Sequence, residues 1–318
     1  MNIRKTFQST CCALLLATSF SSSAMAAEKL TVLLDWFINP DHGPLIVAQE
    51  QGLFTKAGLD VEMIEPADPS LPPKLVAAGK ADIAVSYQPQ LHVQVNEGLP
   101  LARFATLVGT PLNSLVVLAD GDIKSIADLK GKKVGFSVGG FEDALLKAML
   151  SKHGLTLKDI ELVNVNWSLS PSLLTGQVDA VIGAYRNFEL NQMDIEGHPG
   201  RAFYVEEEGV PIYDELILVT HTDKRDNPAL KKFVSAIEAA TVFIINHPDE
   251  AWEIFRDSDK KKLDNELNKR AWKDTLRRFS LRPAALDKAR YNKFAEFMLE
   301  QKLIDKVPAL DDYAFGLE

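Results

Sequence analysis

Cysteine is almost absent from this 318-residue chain: the two residues are Cys11 and Cys12, and none follows. Both lie in a leader-like start. Arg4 and Lys5 form a basic end, residues 11–17 a short apolar stretch, and Ala24-Met25-Ala26 a small-x-small processing signal. Residues 1–26 are therefore expected to be a signal peptide. Cleavage near Ala26 would leave no thiol, which excludes disulfides, a cysteine nucleophile and thiolate metal ligation. The apolar stretch is too short to span a bilayer. No small residues lead into Cys11 as a lipidation site requires, and no later run approaches 18 continuous apolar residues. The remaining chain is expected to be soluble, without direct membrane insertion, in the periplasm.

Positive charge is also scarce. Lys and Arg number 35 against 44 Asp and Glu, a net charge of -9. Removing Arg4 and Lys5 with the leader takes this to -11 (-9 minus 2). Such a chain has no general electrostatic attraction to nucleic acid or anionic membrane. Catalytic signatures are missing as well. His42, His92, His153, His198, His221 and His247 are scattered, with no H-E-x-x-H and no recognisable triad. Neither a dinucleotide fingerprint nor a phosphate-binding loop with its Gly-Lys-Ser/Thr ending is present. No metal, no cofactor and no enzymatic turnover are expected; binding is the simpler reading.

What the chain does contain is a repeat. LVAAGKADIAVSY, from Leu75 to Tyr87, is echoed by LLTGQVDAVIGAY, from Leu173 to Tyr185, with Gly79 and Gly176 97 positions apart. Each copy reads as a helix stopped by a glycine, then an Asp and a short apolar strand. Open α/β sheets bind ligands at such strand ends. Strands are expected at 30–34, 60–64, 81–85, 102–108, 114–118, 133–136, 161–165, 180–182, 202–205 and 215–220. Helices alternate with them, and the chain is mostly helical from 228 onward. This alternation predicts an α/β fold of two lobes, each a mostly parallel sheet flanked by helices, with a ligand site in the cleft between them. Lobe one is expected over 27–119 plus 221–318 and lobe two over 120–220. Passages near 118–122 and 218–222 would act as a hinge.

Candidate ligand contacts follow the strand ends. The segment Asp35-Trp36-Phe37-Ile38-Asn39-Pro40-Asp41-His42 is the densest. Trp36 either offers a flat wall to a planar ligand or plugs its own lobe, while Asp35 or Asn39 satisfies a polar edge or caps the next helix. His42 lies beside them. Ser86 and Tyr87 end the third strand, and Tyr185, Asn187 and Glu189 hold the matching place in lobe two. Glu189 either receives paired hydrogen bonds from an amidine-like ligand or pairs with Arg186. Trp167 is a second wall or a core residue. Ser137, Gly139 and Gly140 join a strand to a helix start and form either an anion nest or a plain turn.

Several of these segments resemble the family of thiamine-precursor proteins called NMT1/THI5-like. They are Asp35 to Gln51, Leu71 to Pro89, Leu129-Lys130-Gly131-Lys132-Lys133-Val134-Gly135, Leu174 to Gly183, and Tyr185 to Glu189. The Leu-Lys-Gly-Lys-Lys and Gly-x-x-Asp parts are shared with relatives that bind sulfonates, nitrate and taurine. The resemblance implies the two-lobed periplasmic binding protein fold, type II-like, serving an ABC importer. Its implied ligand is an aminopyrimidine, the hydroxymethyl or formylaminomethyl compound. Its implied partners are a membrane permease and, indirectly, that permease's cytosolic ATPase, with the binding protein a monomer. Trp36 with Tyr87 or Tyr185 would sandwich the ring, Glu189 would bind its amino edge, and the 137–140 loop would lie near the substituent. The family's pyrimidine synthases imply a lysine and a histidine after the third strand, where this chain has Ser86-Tyr87-Gln88-Pro89-Gln90. An anion ligand remains the alternative, carried by Arg186.

Overall fold

Gly79 and Gly176 stand at φ +70° and +72°, the left-handed conformation that closes the helices Pro72–Ala77 and Leu169–Leu174. The Asp three residues on does the same work in both copies. Asp82 Oδ2 accepts the Thr31 N–H and Asp179 Oδ2 the Lys133 N–H, each at 2.8 Å. The repeat therefore fixes each copy's strand beside a parallel neighbour, the strand that holds Thr31 in one half and the strand that starts at Lys133 in the other. In this computed structural model residues 27–317 are described; the expected signal peptide lies outside the described residues.

Two five-stranded sheets result. The first joins β1 (Glu28–Leu33), β2 (Leu59–Ile64), β3 (Ile83–Ser86) and β4 (Leu101–Val108). The second joins β5 (Asn113–Leu118), β6 (Lys133–Phe136), β7 (Glu161–Asn164), β8 (Ala180–Tyr185) and β9 (Gly200–Tyr204). The last strand, β10 (Leu216–His221), returns to the first sheet. Spatial orders are β2-β1-β3-β10-β4 and β7-β6-β8-β5-β9. In each sheet the strand that has just crossed from the other one, β10 or β5, runs antiparallel to both neighbours. Both sheets are mixed for that reason, with parallel pairing confined to β2-β1-β3 and β7-β6-β8.

The expected passage points need correction. The chain leaves the first sheet between Val108 and Asn113 and returns between Tyr204 and Leu216, so β5 pairs in the second sheet. The expected 118–122 and 218–222 fall at the end of β5 and within or after β10. The cause is local: β4 is buried along its whole length, and only four residues separate it from β5. So short a link reads equally as a hairpin within one sheet. The passages are tied together, because Glu215 Oε2 accepts the Leu112 and Asn113 N–H groups at 2.6 and 2.9 Å.

The C-terminal helices pack on the first sheet's side, as Phe233 of Pro228–Asn246 stacks on Phe54 with centroids 4.8 Å apart. Among the described residues no helix is long and apolar enough to cross a membrane. The tail is anchored by Arg103, a fully buried cation on β4. Its guanidinium donates to Thr106 Oγ1 at 2.7 Å and to the carbonyls of Pro283, Ala285 and Phe315. Arg103→Ala would take the guanidinium from the Ala285 and Phe315 carbonyls and from Thr106, leaving Pro283 its bond from the Thr106 N–H, and a loss of about 3 kcal/mol in denaturant unfolding is expected.

Candidate functional site

Between the sheets lies a cavity walled by the ends of β1 and β3 on one side and of β6 and β8 on the other. On the first side Asp35 is the organising group. Its Oδ1 faces His42 Nε2 at 2.9 Å, and its Oδ2 accepts the Tyr87 hydroxyl at 2.8 Å. His42 Nδ1 accepts the Asn39 N–H at 3.3 Å, so the proton sits on Nε2 and points at Asp35. Asn39 caps the turn Pro40–His42 through the Asp41 N–H. Trp36, Asn39, Asp41 and Leu216 complete this wall.

The second wall carries a feature that the sequence reading passed over. Phe141-Glu142 and Phe188-Glu189 each open a helix, Glu142–Lys152 and Glu189–Ile195, and all four residues line the cavity. Each Glu reaches back to the preceding strand end. Glu142 Oε2 accepts the Ser137 N–H and Glu189 Oε2 the Tyr185 N–H, both at 2.6 Å. Gly183 makes room for the first of them. A Cβ there would fall 2.3 Å from Glu142 Oε1, and its φ is +99°. It is a bulge residue: Ser114 faces Ala184 and Leu115 faces Ile182, leaving Gly183 without an opposite.

Aromatic contacts cross the cleft. Tyr87 stacks on Phe141 with centroids 4.6 Å apart and planes at 10°, and Trp36 meets Trp167 at 4.4 Å. Phe37 reaches Phe188 at 6.1 Å. Polar groups cross as well. Asn187 Nδ2 donates to Asp41 Oδ1 at 2.7 Å, beside Thr275, and Asn191 Nδ2 to Asp274 at 2.8 Å. Arg270 pairs with Asp194 at 2.6 Å. The lobes are closed on one another.

The electrostatics are one-sided. Asp35, Asp41, Glu142 and Glu189 line the cavity, and no Lys or Arg among the described residues does. Burial raises Glu142 and Glu189 from the ordinary 4.5 to about 8, against the backbone N–H groups that pull them down. Burial likewise takes Asp41 to about 6, and Glu215, next to Tyr185, to about 7. A carboxyl that keeps its proton near neutrality presents one donor and one acceptor side by side. Among the described residues no group of three His, Asp or Glu is placed to hold a metal.

The candidates from sequence therefore divide. Asp35, Trp36, Asn39, Tyr87, Tyr185 and Glu189 line the cavity. His42 stands behind Asp35, and Ser86 is buried with its hydroxyl on Gln90. Asn187 joins the lobes, and Trp167 lies outward of Trp36. The 137–140 loop is not an open anion nest. The Ser137 N–H is held by Glu142 and the Gly140 N–H by Asp143, so the chain's own acids occupy it. Arg186 does not pair with Glu189 and does not face the cavity. It forms a two-point pair with Glu206 at 2.6 and 2.8 Å and covers the Tyr204 ring at 4.0 Å. Asp41, Phe141, Glu142, Gly183 and Phe188 join the site beyond the residues chosen from sequence.

Comparison with known proteins bears on this geometry. Residues 39–251 match the family described as NMT1/THI5 like. The chain is similar to a putative thiamine biosynthesis protein of Haemophilus influenzae, 57% identical over 93% of this chain and 94% of that one. It is also similar to the formylaminopyrimidine-binding protein of Halalkalibacterium halodurans, 35% identical over 74% of this chain and 72% of the other. A Schizosaccharomyces pombe 4-amino-5-hydroxymethyl-2-methylpyrimidine phosphate synthase is 25% identical over 80% and 77%. In fold, the chain is similar to the MOPS-bound alkanesulfonate-binding protein of Xanthomonas axonopodis pv. citri. The TM-score is 0.72 at 16% identity, covering 91% of this chain and 99% of that one.

Proposed function

The chain belongs to the NMT1/THI5-like family, and from that premise we propose that it is an exported solute-binding protein that closes on an aminopyrimidine precursor of thiamine. It delivers that ligand to the permease of an ABC importer and carries out no chemistry on it. The observation that carries this reading is the cavity's make-up: flat aromatic faces and four carboxyls, without a cation. A ring nitrogen beside an exocyclic amino group presents an acceptor next to a donor. A protonated carboxyl such as Glu189 is the complement of that edge. The hinge is the pair of passages at 109–112 and 205–215, held together through Glu215.

The sulfonate or nitrate reading needs a cation or free N–H groups at the ligand. Arg186 is engaged by Glu206, and the 137–140 loop by Glu142 and Asp143. A synthase reading would need the lysine and histidine that its relatives' resemblance implies after β3, and Gln88, Pro89 and Gln90 stand there.

Calorimetric titration of ligand-stripped protein with hydroxymethyl- and formylaminomethyl-aminopyrimidine, taurine and nitrate tests the proposal. Saturable one-to-one binding of a pyrimidine and none of the anions is expected. Heat from taurine or nitrate alone would move the protein to the anion branch.

A further inference from the structure

Beside the hinge passages, a surface depression is lined by Arg186, Asn187, Tyr204, Asp274, Arg277 and Arg278, and it shares no lining residue with the carboxyl-bearing cavity. It lies on the seam between the lobes. Arg186 follows β8 and Tyr204 ends β9, both of the second sheet. Arg278 belongs to the first sheet's side, where its carbonyl accepts the Gly109 N–H and Phe279 bridges to Val108 of β4. The two arginines grip successive residues of the outgoing passage. Arg278 Nη1 donates to Thr110 Oγ1 at 3.2 Å and to the Pro111 carbonyl at 3.4 Å. Arg186 donates to the Leu112 and Asn113 carbonyls at 3.3 and 3.2 Å.

Three guanidiniums on one seam stand out in a chain of net charge -9. Arg186 is answered by its two-point pair with Glu206. Arg278 gives its Nη1 to neutral oxygens, and Arg277 is exposed. Among the described residues neither lies within ion-pair distance of a carboxylate. Asp274, the acid in the lining, is turned to Asn191 Nδ2 at 2.8 Å across the seam. Burial, and then the Arg186 and Arg277 charges, hold Arg278 below the usual arginine range, with Glu206 opposing them. Two cationic heads are thus left unanswered at a place that solvent reaches.

We propose that this depression is a site for a tetrahedral dianion such as sulfate or phosphate, which bridges the lobes along the seam and favours their closed form. Two unanswered guanidiniums call for two negative charges, and the planar arginine fork suits tetrahedral oxyanions. The Tyr204 hydroxyl, unpartnered among the described residues, adds a donor from lobe two beside the Arg186 charge. Nitrate carries one charge and taurine none net, so neither answers both arginines. The site itself is independent of the aminopyrimidine reading; only its linkage to closure is measured through that ligand.

Sodium sulfate titrated calorimetrically into the protein, against sodium chloride of equal ionic strength, is the test. Wild type is expected to bind one sulfate saturably. Arg277→Gln should weaken that binding about tenfold, and Arg277→Gln with Arg278→Gln should abolish it. The exposed Arg277 head keeps the single variant informative even if loss of Arg278 from the passage disturbs folding, which unfolding midpoints in chloride report. Saturating sulfate is expected to tighten hydroxymethyl-aminopyrimidine binding by about fivefold, with the pyrimidine tightening sulfate equally. No saturable sulfate binding, or binding indifferent to Arg277→Gln, overturns the site. Pyrimidine binding left unchanged or weakened by sulfate overturns the closing role, the weakening because sulfate would then be entering the cavity. Failure of the pyrimidine to bind at all counts against the aminopyrimidine reading alone, and the sulfate titrations still decide this one.

Discussion

Glu189→Ala is expected to weaken aminopyrimidine binding by on the order of a hundredfold, while Glu189→Gln stays within about tenfold of wild type. The first effect follows from the pair of hydrogen bonds that one carboxyl makes with a ring nitrogen and its neighbouring amino group. In a cavity closed to water, their loss leaves the ligand's donor and acceptor unanswered. The second effect discriminates between mechanisms. A glutamine amide offers the same donor-beside-acceptor face as a protonated carboxyl, and it keeps an oxygen for the Tyr185 N–H that Glu189 now accepts. If the carboxylate instead bound ionised against a protonated ring, the glutamine variant would fail as badly as alanine. Calorimetric affinities for the two variants, with unfolding midpoints as the control for folding, decide between these outcomes.

Much of the frame around Glu189 was legible in the sequence, because the repeat states it twice. Gly79 with Asp82, and Gly176 with Asp179, carry their own physical instructions: a left-handed helix end and an acceptor for the neighbouring strand. The copies also held a clue in their mismatch. Tyr87 follows Asp82 by five positions and Tyr185 follows Asp179 by six. The additional residue in the second copy is accounted for by the bulged Gly183, whose missing side chain admits the Glu142 carboxyl. Glu142 itself was hidden because an acid at a helix start reads as an ordinary capping charge. Only its recurrence as Phe-Glu at 141–142 and 188–189 sets it apart. The sheet to which β5 belongs was not legible, since a strand buried over its first five residues carries no alternation to say which way it faces.

Raising the pH from about 5 to about 9 is expected to open the empty protein. Glu142 and Glu189 ionise near 4.5 when hydrated and near 8 in the closed cavity, with burial the main cause. The closed form therefore binds more protons than a hydrated form across that interval, and its relative stability falls as pH rises. Its full advantage exists below about 4.5 and is gone above about 8, the reverse of a carboxylate held by a salt bridge. Each raised carboxyl contributes about 1.4 kcal/mol per pH unit inside the window, so even partial relief by opening is large against a closed–open difference of a few kcal/mol. Asp41 adds to the same slope at its acid end, being raised to about 6 where Asn187 meets it across the cleft. The contact of Trp36 with Trp167 at 4.4 Å bridges the lobes and gives an intrinsic fluorescence report, alongside the radius of gyration from solution scattering. Expansion with a midpoint between about 6 and 8 is the expected result. Replacing both carboxyls, as Glu142→Gln with Glu189→Gln, should flatten the transition. A radius that stays constant to pH 9 would mean that the acids are rehydrated without opening and that closure is held by the Asn187, Asn191 and Arg270 contacts instead.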